Sequence, residues 1–170
     1  MRGSILLIVS IIFCNQKKPE GTVEIGYKQF IKNFRMLETE AGIKTWELKA
    51  DSAYVYDEYI KVYRLNLLFF EPKGETTALV RAPLGRLHNK THDLVALGGV
   101  EVTTFDRSSL TTDSLCFDNE STLIKTESAV SILRPDGTKL SGRGLVTTPD
   151  LTRIKIGGKI TGETPFGPGR

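Results

Sequence analysis

His88 and His92, in the stretch HNKTH, stand four residues apart, the spacing at which two imidazoles on one helical face share a metal ion. Here the pair spans a strand end and a turn, with no third ligand beside it. A solvated loop is the reading this context favours. Cys116 lies between Leu115 and Phe117 with no histidine next to it, which makes it a buried strand thiol rather than an activated nucleophile. The acidic residues are scattered over turns and outward strand positions, without a pair suited to acid–base work. No serine stands in a nucleophile elbow. Gly98-Gly99 and Gly157-Gly158 precede apolar strands rather than a helix whose N-terminus would hold phosphate, and read as bulges or kinks. The sequence predicts no enzyme, no metal site and no cofactor.

Cys14 is a different case, because its context is an address. After Met1-Arg2 comes the apolar run ILLIVSIIF, Ile5 to Phe13, and after Cys14 the polar NQKKPEG. As a helix the run reaches about 14 Å, against roughly 30 Å of bilayer hydrocarbon. A charged head, a short apolar core and a polar sequel are the anatomy of an export signal. Cys14 occupies the position of the acylated cysteine in a lipoprotein signal. Ile11 fits that pattern, and the bulky Phe13 departs from it. The other reading is an ordinary signal, or a clipped membrane anchor, in which Cys14 has no role.

The 170 residues suffice for one domain with a core. At 39% apolar, 25% charged and a net charge of +3, the composition argues against general disorder and gives no footing for nucleic-acid binding. Val, Ile, Thr, Tyr and Phe are plentiful and Ala is scarce, which favours strands. The expected divisions are a signal or anchor at 1–14, a tether at 15–32, a β domain at 33–162 and a tail at 163–170.

The positioning elements form a repeat. Leu48, Val80, Leu110 and Leu140 recur at spacings of 32, 30 and 30. Two residues after each stand Ala50, Ala82, Thr112 and Gly142, and nine after each the turn formers Asp57, Asn89, Asn119 and Pro149. Val55, Leu87 and Phe117 share a column with Thr147. The return halves give Val62, Leu94, Ile124 and Ile154, then Leu68, Val100, Val130 and Ile160, then Phe70, Val102 and Ile132. Apolar residues alternate within each half, the mark of half-buried strands. The phase slips near Asp51-Ser52, Pro83-Leu84, Asp113-Ser114 and Arg143-Gly144, where a bulge or bend would turn a corner. EPKGE, FDRS and RPDG supply turns. Ahead of the repeats, NFRMLETEAGIKTWEL reads as a hairpin with Phe34 and Met36 inward and Gly42 in the turn. The one stretch open to a helical turn is Tyr27 to Asn33.

Such a strand pair cannot bury its apolar face alone, whereas stacked copies can. Two architectures fit, a β-solenoid or two facing sheets in an open jelly roll. In both, an apolar interior runs the length of the stack, lined by the columns above with Trp46, Leu115 and Leu145. Trp46 suits either a core position or a ligand platform. The small column either leaves width between the sheets or accommodates a corner.

MLETEAGIKTWELKADSAYVYD, LVALGGVEVTT, SLTTDSLCFD and ILRPDGTKLSGRGLVTTPDLTRIKI together resemble the LptC family of lipopolysaccharide-export proteins, over roughly Phe34 to Ile160. The wider group shares the OstA-like fold with LptA. The resemblance implies an all-β, twisted open β-jelly roll of about four stacked strand-pair repeats, whose interior receives the acyl chains of lipopolysaccharide. It implies a partner on each side, an inner-membrane ABC transporter of LptB, LptF and LptG and the acceptor LptA, with location in the periplasm on the inner membrane. Typical members carry a full transmembrane helix, and here a lipid on Cys14 would replace it. The expected lipid-binding residues are Trp46, Leu48, Val55, Val62, Leu68, Phe70, Val80, Leu87, Leu94, Val100, Val102, Leu110, Leu115, Phe117, Ile124, Val130, Ile132, Leu140, Leu145 and Ile154. The expected partner edge is Thr152, Arg153, Ile154, Lys155, Ile156 and Thr161, since an unpaired strand edge invites a further strand.

Overall fold

A bent antiparallel meander accounts for the computed structural model, which describes residues 26–163. The export segment, Cys14, most of the tether and the tail from 164 lie outside the described residues. Ten strands follow in chain order: β1 (Gln29–Glu40), β2 (Ile43–Val55), β3 (Tyr59–Phe70), β4 (Thr76–His88), β5 (Leu94–Thr104), β6 (Ser109–Asp118), β7 (Leu123–Leu133), β8 (Lys139–Thr147), β9 (Ile154–Ile156) and β10 (Thr161–Glu163). Each of β1 to β8 pairs with its sequence neighbours, and β9 and β10 both pair with β8. Every pairing is antiparallel.

The phase slips read in the sequence are the corner of this sheet. Ala50 and Ala53 are both buried, as are Ala82 and Gly85, and Thr112 and Leu115. Burial at a spacing of three in a period-two strand requires one extra residue, which turns the chain. Register breaks at Arg81/Leu84, Leu97/Val100, Thr112/Cys116 and Thr126/Ala129 line up across the sheet. Each of β1 to β8 thus contributes one half to a first layer and the other half to a second, and the inner faces meet. Phe69 of the first layer packs edge-on against Phe117 of the second, ring centres 4.8 Å apart. The architecture is the open β-jelly roll, a single sheet folded on itself with its edges free.

Rows of side chains run straight across the strands. In the first layer Met36, Leu48, Leu67, Val80, Val102, Leu110, Ile132 and Leu140 pair in succession. In the second, Val55, Ile60, Leu87, Leu94, Phe117, Ile124, Thr147 and Ile154 do the same. Apart from Val55 and Thr147, the residues of both rows belong to one continuous core.

Four expectations need correction. Leu68 and Phe70 face outward, and Leu67 and Phe69, 1% and 3% exposed, hold the inward positions. The corner of β3 takes only Tyr63-Arg64 between Val62 and Leu65, with Arg64 at φ 51°, whereas β5 uses Leu97-Gly98-Gly99. One residue fewer reverses the phase of everything after it. Ile160 is 55% exposed and lies outside both rows. Tyr27 to Asn33 forms no helical turn: β1 begins at Gln29, and Gln29 to Lys32 pair with Val55 to Ser52, so paired structure starts ahead of residue 33. Finally, the supposed edge from Thr152 to Thr161 is two edges. Gly157-Gly158 break the last strand, leaving β9 on the second layer and β10 on the first.

Candidate functional site

The interior is lined by the alternate residues of each strand, and most positions read from the sequence stand there. Leu48, Val62, Val80, Val102, Leu110, Leu115, Ile124 and Ile132 have no measurable exposure. Trp46, Leu87, Leu94, Val100, Phe117 and Leu145 are at 2% or less, and Val130 is at 4%. Val55, Leu140 and Ile154 lie half-buried at the ends of the rows. The side chains of the two layers meet, as Phe69 and Phe117 do with ring centres 4.8 Å apart.

The small column belongs to the bend. Ala50, Leu65 and Ala82 are direct neighbours across β2, β3 and β4, and Val100, Thr112, Val130 and Gly142 continue the row. Small residues on outgoing strands therefore alternate with large ones on returning strands, and the row fills its width. A methyl group on Gly142 would come within 2.6 Å of Ile156 Cγ2 in the opposite layer. Smallness is needed where the layers converge, which is the corner reading of this column.

Opposite the corner the strand-connecting turns of the two layers face each other across a mouth, and polar contacts close it. Trp46 Nε1 donates to Asn119 Oδ1 at 2.8 Å. Glu38 Oε2 lies 3.0 Å from His92 Nδ1. Further along, Arg134 Nη2 donates to the carbonyl of Leu151 at 3.2 Å. The column of turn formers supplies the rim of the second layer. Asn89 Nδ2 donates to the carbonyls of Tyr56 and Asp57. Asn119 Nδ2 donates to the carbonyl of Thr91, and its backbone N–H to Asp93 Oδ1 at 2.9 Å. Each asparagine thus stitches its turn to the preceding one, until Pro149 ends the series.

The histidines hold different partners. His88 Nδ1 accepts from the Thr91 N–H at 3.2 Å, capping its own turn, while His92 faces Glu38. Trp46 is a core residue whose one polar atom is bonded to Asn119, 2% exposed and edge-on to both Phe117 and His92. Cys116 is buried.

Outside the interior, the outer face carries a sunken charge. Glu47 is 3% exposed, bonded to Arg35 Nε, with Lys49 Nζ at 3.5 Å and Lys44 Nζ at 3.8 Å. Burial pushes its carboxyl up, but the Arg35 hydrogen bond and the charges of Lys49, Arg35 and Lys44 outweigh this and hold it below its ordinary value. Asp118 behaves likewise. Burial raises it, and the bond from Lys125 with those from Ser121 brings it down.

At the expected partner edge, only Ile154, Lys155 and Ile156 form strand β9 on the free side of the second layer. Thr152 and Arg153 sit in the preceding loop, where Asp150 Oδ1 accepts from the Thr152 N–H and hydroxyl. Thr161 opens β10. The opposite edge, β1, is longer and, among the described residues, equally unpaired on its outer side. Sequence reasoning missed Leu65, Leu67, Phe69 and Leu151 and the three contacts across the mouth. Only the alternation of RLNLLFF carried a signal for the first three.

A family model described as "Lipopolysaccharide-assembly, LptC-related" matches residues 4–164. No curated protein matches the chain.

Proposed function

This chain belongs to the LptC-related family of lipopolysaccharide-assembly proteins, and from that premise we propose that its β domain is a non-enzymatic lipid carrier. It takes lipopolysaccharide from an inner-membrane transporter of the LptB, LptF and LptG type and passes it to LptA. The family gives the chain a part in lipopolysaccharide transport; the groove, the two partners and the periplasmic, membrane-tethered location belong to this proposal. The anchor is either a lipid on Cys14 or the N-terminal apolar segment.

The observation that carries the reading is the pair of apolar rows spanning the sheet from end to end beneath a polar mouth. Each methylene removed from water is worth about 0.8 kcal/mol, so holding one twelve-carbon chain exposed costs on the order of 10 kcal/mol. A conduit that crosses water must therefore offer unbroken apolar cover, with sugars left outside. A sheet folded along one corner and open along the other side has that shape, and its free edges can extend the cover into a neighbouring β protein.

Tight packing of the interior favours a second reading, a structural β domain with a solid core and no cargo. Photo-crosslinkers at Leu110, Leu115 and Phe117 in cells decide between them. Capture of lipopolysaccharide at these positions supports the carrier. Crosslinks confined to the protein itself support the solid core.

A further inference from the structure

We propose that acyl chains are admitted at one place along the mouth, where Trp46 meets Asn119 and Glu38 meets His92. This inference rests on the carrier reading and adds to it the port. The layers cannot part at the corner, because there β2 to β8 pass without interruption from one layer to the other and their ladders hold each strand to the next. Opposite the corner the connection between layers is made by side chains. Trp46 Nε1 and Asn119 Oδ1 are 2.8 Å apart, and Glu38 Oε2 and His92 Nδ1 are 3.0 Å apart.

What lies under this pair distinguishes it from the other contact across the mouth. The ring of Trp46 stands edge-on to Phe117 at 6.3 Å, and Phe117 meets Phe69 at 4.8 Å. Release of the Trp46–Asn119 bond leaves an aromatic floor to meet a methyl terminus, continuous with both apolar rows. Under Arg134, by contrast, Leu151 fills the space with no exposure of its own. The Glu38 and His92 side chains are each 29% exposed and the Trp46–Asn119 bond is part-buried just beneath them, so parting the layers there admits water, which replaces the lost partners at little cost. Asn119 is doubly tied to the preceding turn, through Thr91 and Asp93, so the second layer moves there as a unit and Trp46 is released from it.

The test bridges the port in the full-length protein. Glu38→Cys and His92→Cys are joined by a bismaleimide with a two-carbon spacer, and a photo-crosslinker at Leu110 reports capture of purified lipopolysaccharide. Each variant carrying only one of the two introduced cysteines, treated with the same reagent, is the control for reaction at the native Cys14 and Cys116, and the unreacted double variant shows that the substitutions themselves are tolerated. The expected result is at least a tenfold loss of capture in the bridged protein alone. Asn119→Ala, which frees Trp46, should speed capture severalfold. Capture by the bridged protein equal to that of the unreacted double variant overturns the port and leaves the carrier standing. Absence of capture by wild type and unreacted double variant alike removes the carrier, and the port with it.

Discussion

A methyl group on Gly85 would lie 2.3 Å from Leu65 Cδ2, so the bare backbone of β4 is fitted to a side chain of β3 just past the bend. Val62 Cγ2 at 3.0 Å and Leu94 Cδ1 at 3.4 Å crowd the same point, and Leu65 is 1% exposed, so it has nowhere to swing. Gly85→Ala should destabilise the domain by about 1–3 kcal/mol through overpacking. Shortening the obstacle restores room. In the double variant with Leu65→Val the two costs should fall short of their sum by about 1 kcal/mol. Urea midpoints of the four proteins measure that coupling, and simple additivity would refute the fit.

Glu47 predicts an acid-sensitive increment of stability. Its carboxyl is held below its ordinary value in the folded state, so the unfolded chain takes up the proton first as pH falls. The contribution is complete above the unfolded value near 4.5 and is lost as pH drops through the lower, folded value. Glu47→Gln should therefore be less stable than wild type at pH 7, with Arg35, Lys44 and Lys49 left around a neutral amide. The gap between the two proteins should narrow below about pH 4.5. Denaturant titrations at pH 7, 4 and 3 would show it, and a gap independent of pH would contradict it.

The repeat was readable because its columns are set by burial, and burial repeats wherever a strand crosses the same row. Leu48, Val80, Leu110 and Leu140 are such a row, each joined to the next through one residue of the returning strand between them. The repeat misleads where the corner changes length. Counting from Val100 back by the repeat gives Leu68, but β3 turns its corner with one residue fewer, and the inward side chain is Leu67. Nothing local marks that deletion, since Arg64 adopts the left-handed conformation that β5 gives to Gly98 and Gly99. The contacts across the mouth were illegible for another reason. Trp46 and Asn119 are 73 residues apart, and they meet only because the folded sheet brings the turn of one layer over the other. Asn119 could be read as a turn former and nothing more.

Gly142→Ala should loosen the last strand selectively. The added methyl meets Ile156 Cγ2 at 2.6 Å, and Ile156 belongs to a three-residue strand held to β8 alone. The easiest relief is for β9 to move outward, rather than for β8 to leave its pairing with β7. Amide exchange at Lys155 and Gly157, whose N–H groups face β8, should quicken at least tenfold, while Ile132 and Leu110 exchange as before. A uniform loss of protection across the sheet would show that the strain spreads instead of being shed at the edge.

Proline substitutions along β9 separate edge pairing from folding. The Thr148 N–H donates to the Arg153 carbonyl and the Gly157 N–H to the Gly144 carbonyl, so by alternation the N–H of Lys155 points toward β8 and those of Ile154 and Ile156 point away. Proline at 154 removes a donor from the free edge only, a position where strands tolerate it. Proline at 155 removes one from the ladder, at a cost of about 1 kcal/mol. If LptA adds its own strand here, Ile154→Pro should abolish its capture in a pull-down while the melting temperature stays close to that of Ile154→Ala. Ile154→Ala, which keeps the N–H, should retain LptA. Lys155→Pro should lower the melting temperature as well. Undiminished capture by Ile154→Pro would mean that β9 is not the edge on which the acceptor docks.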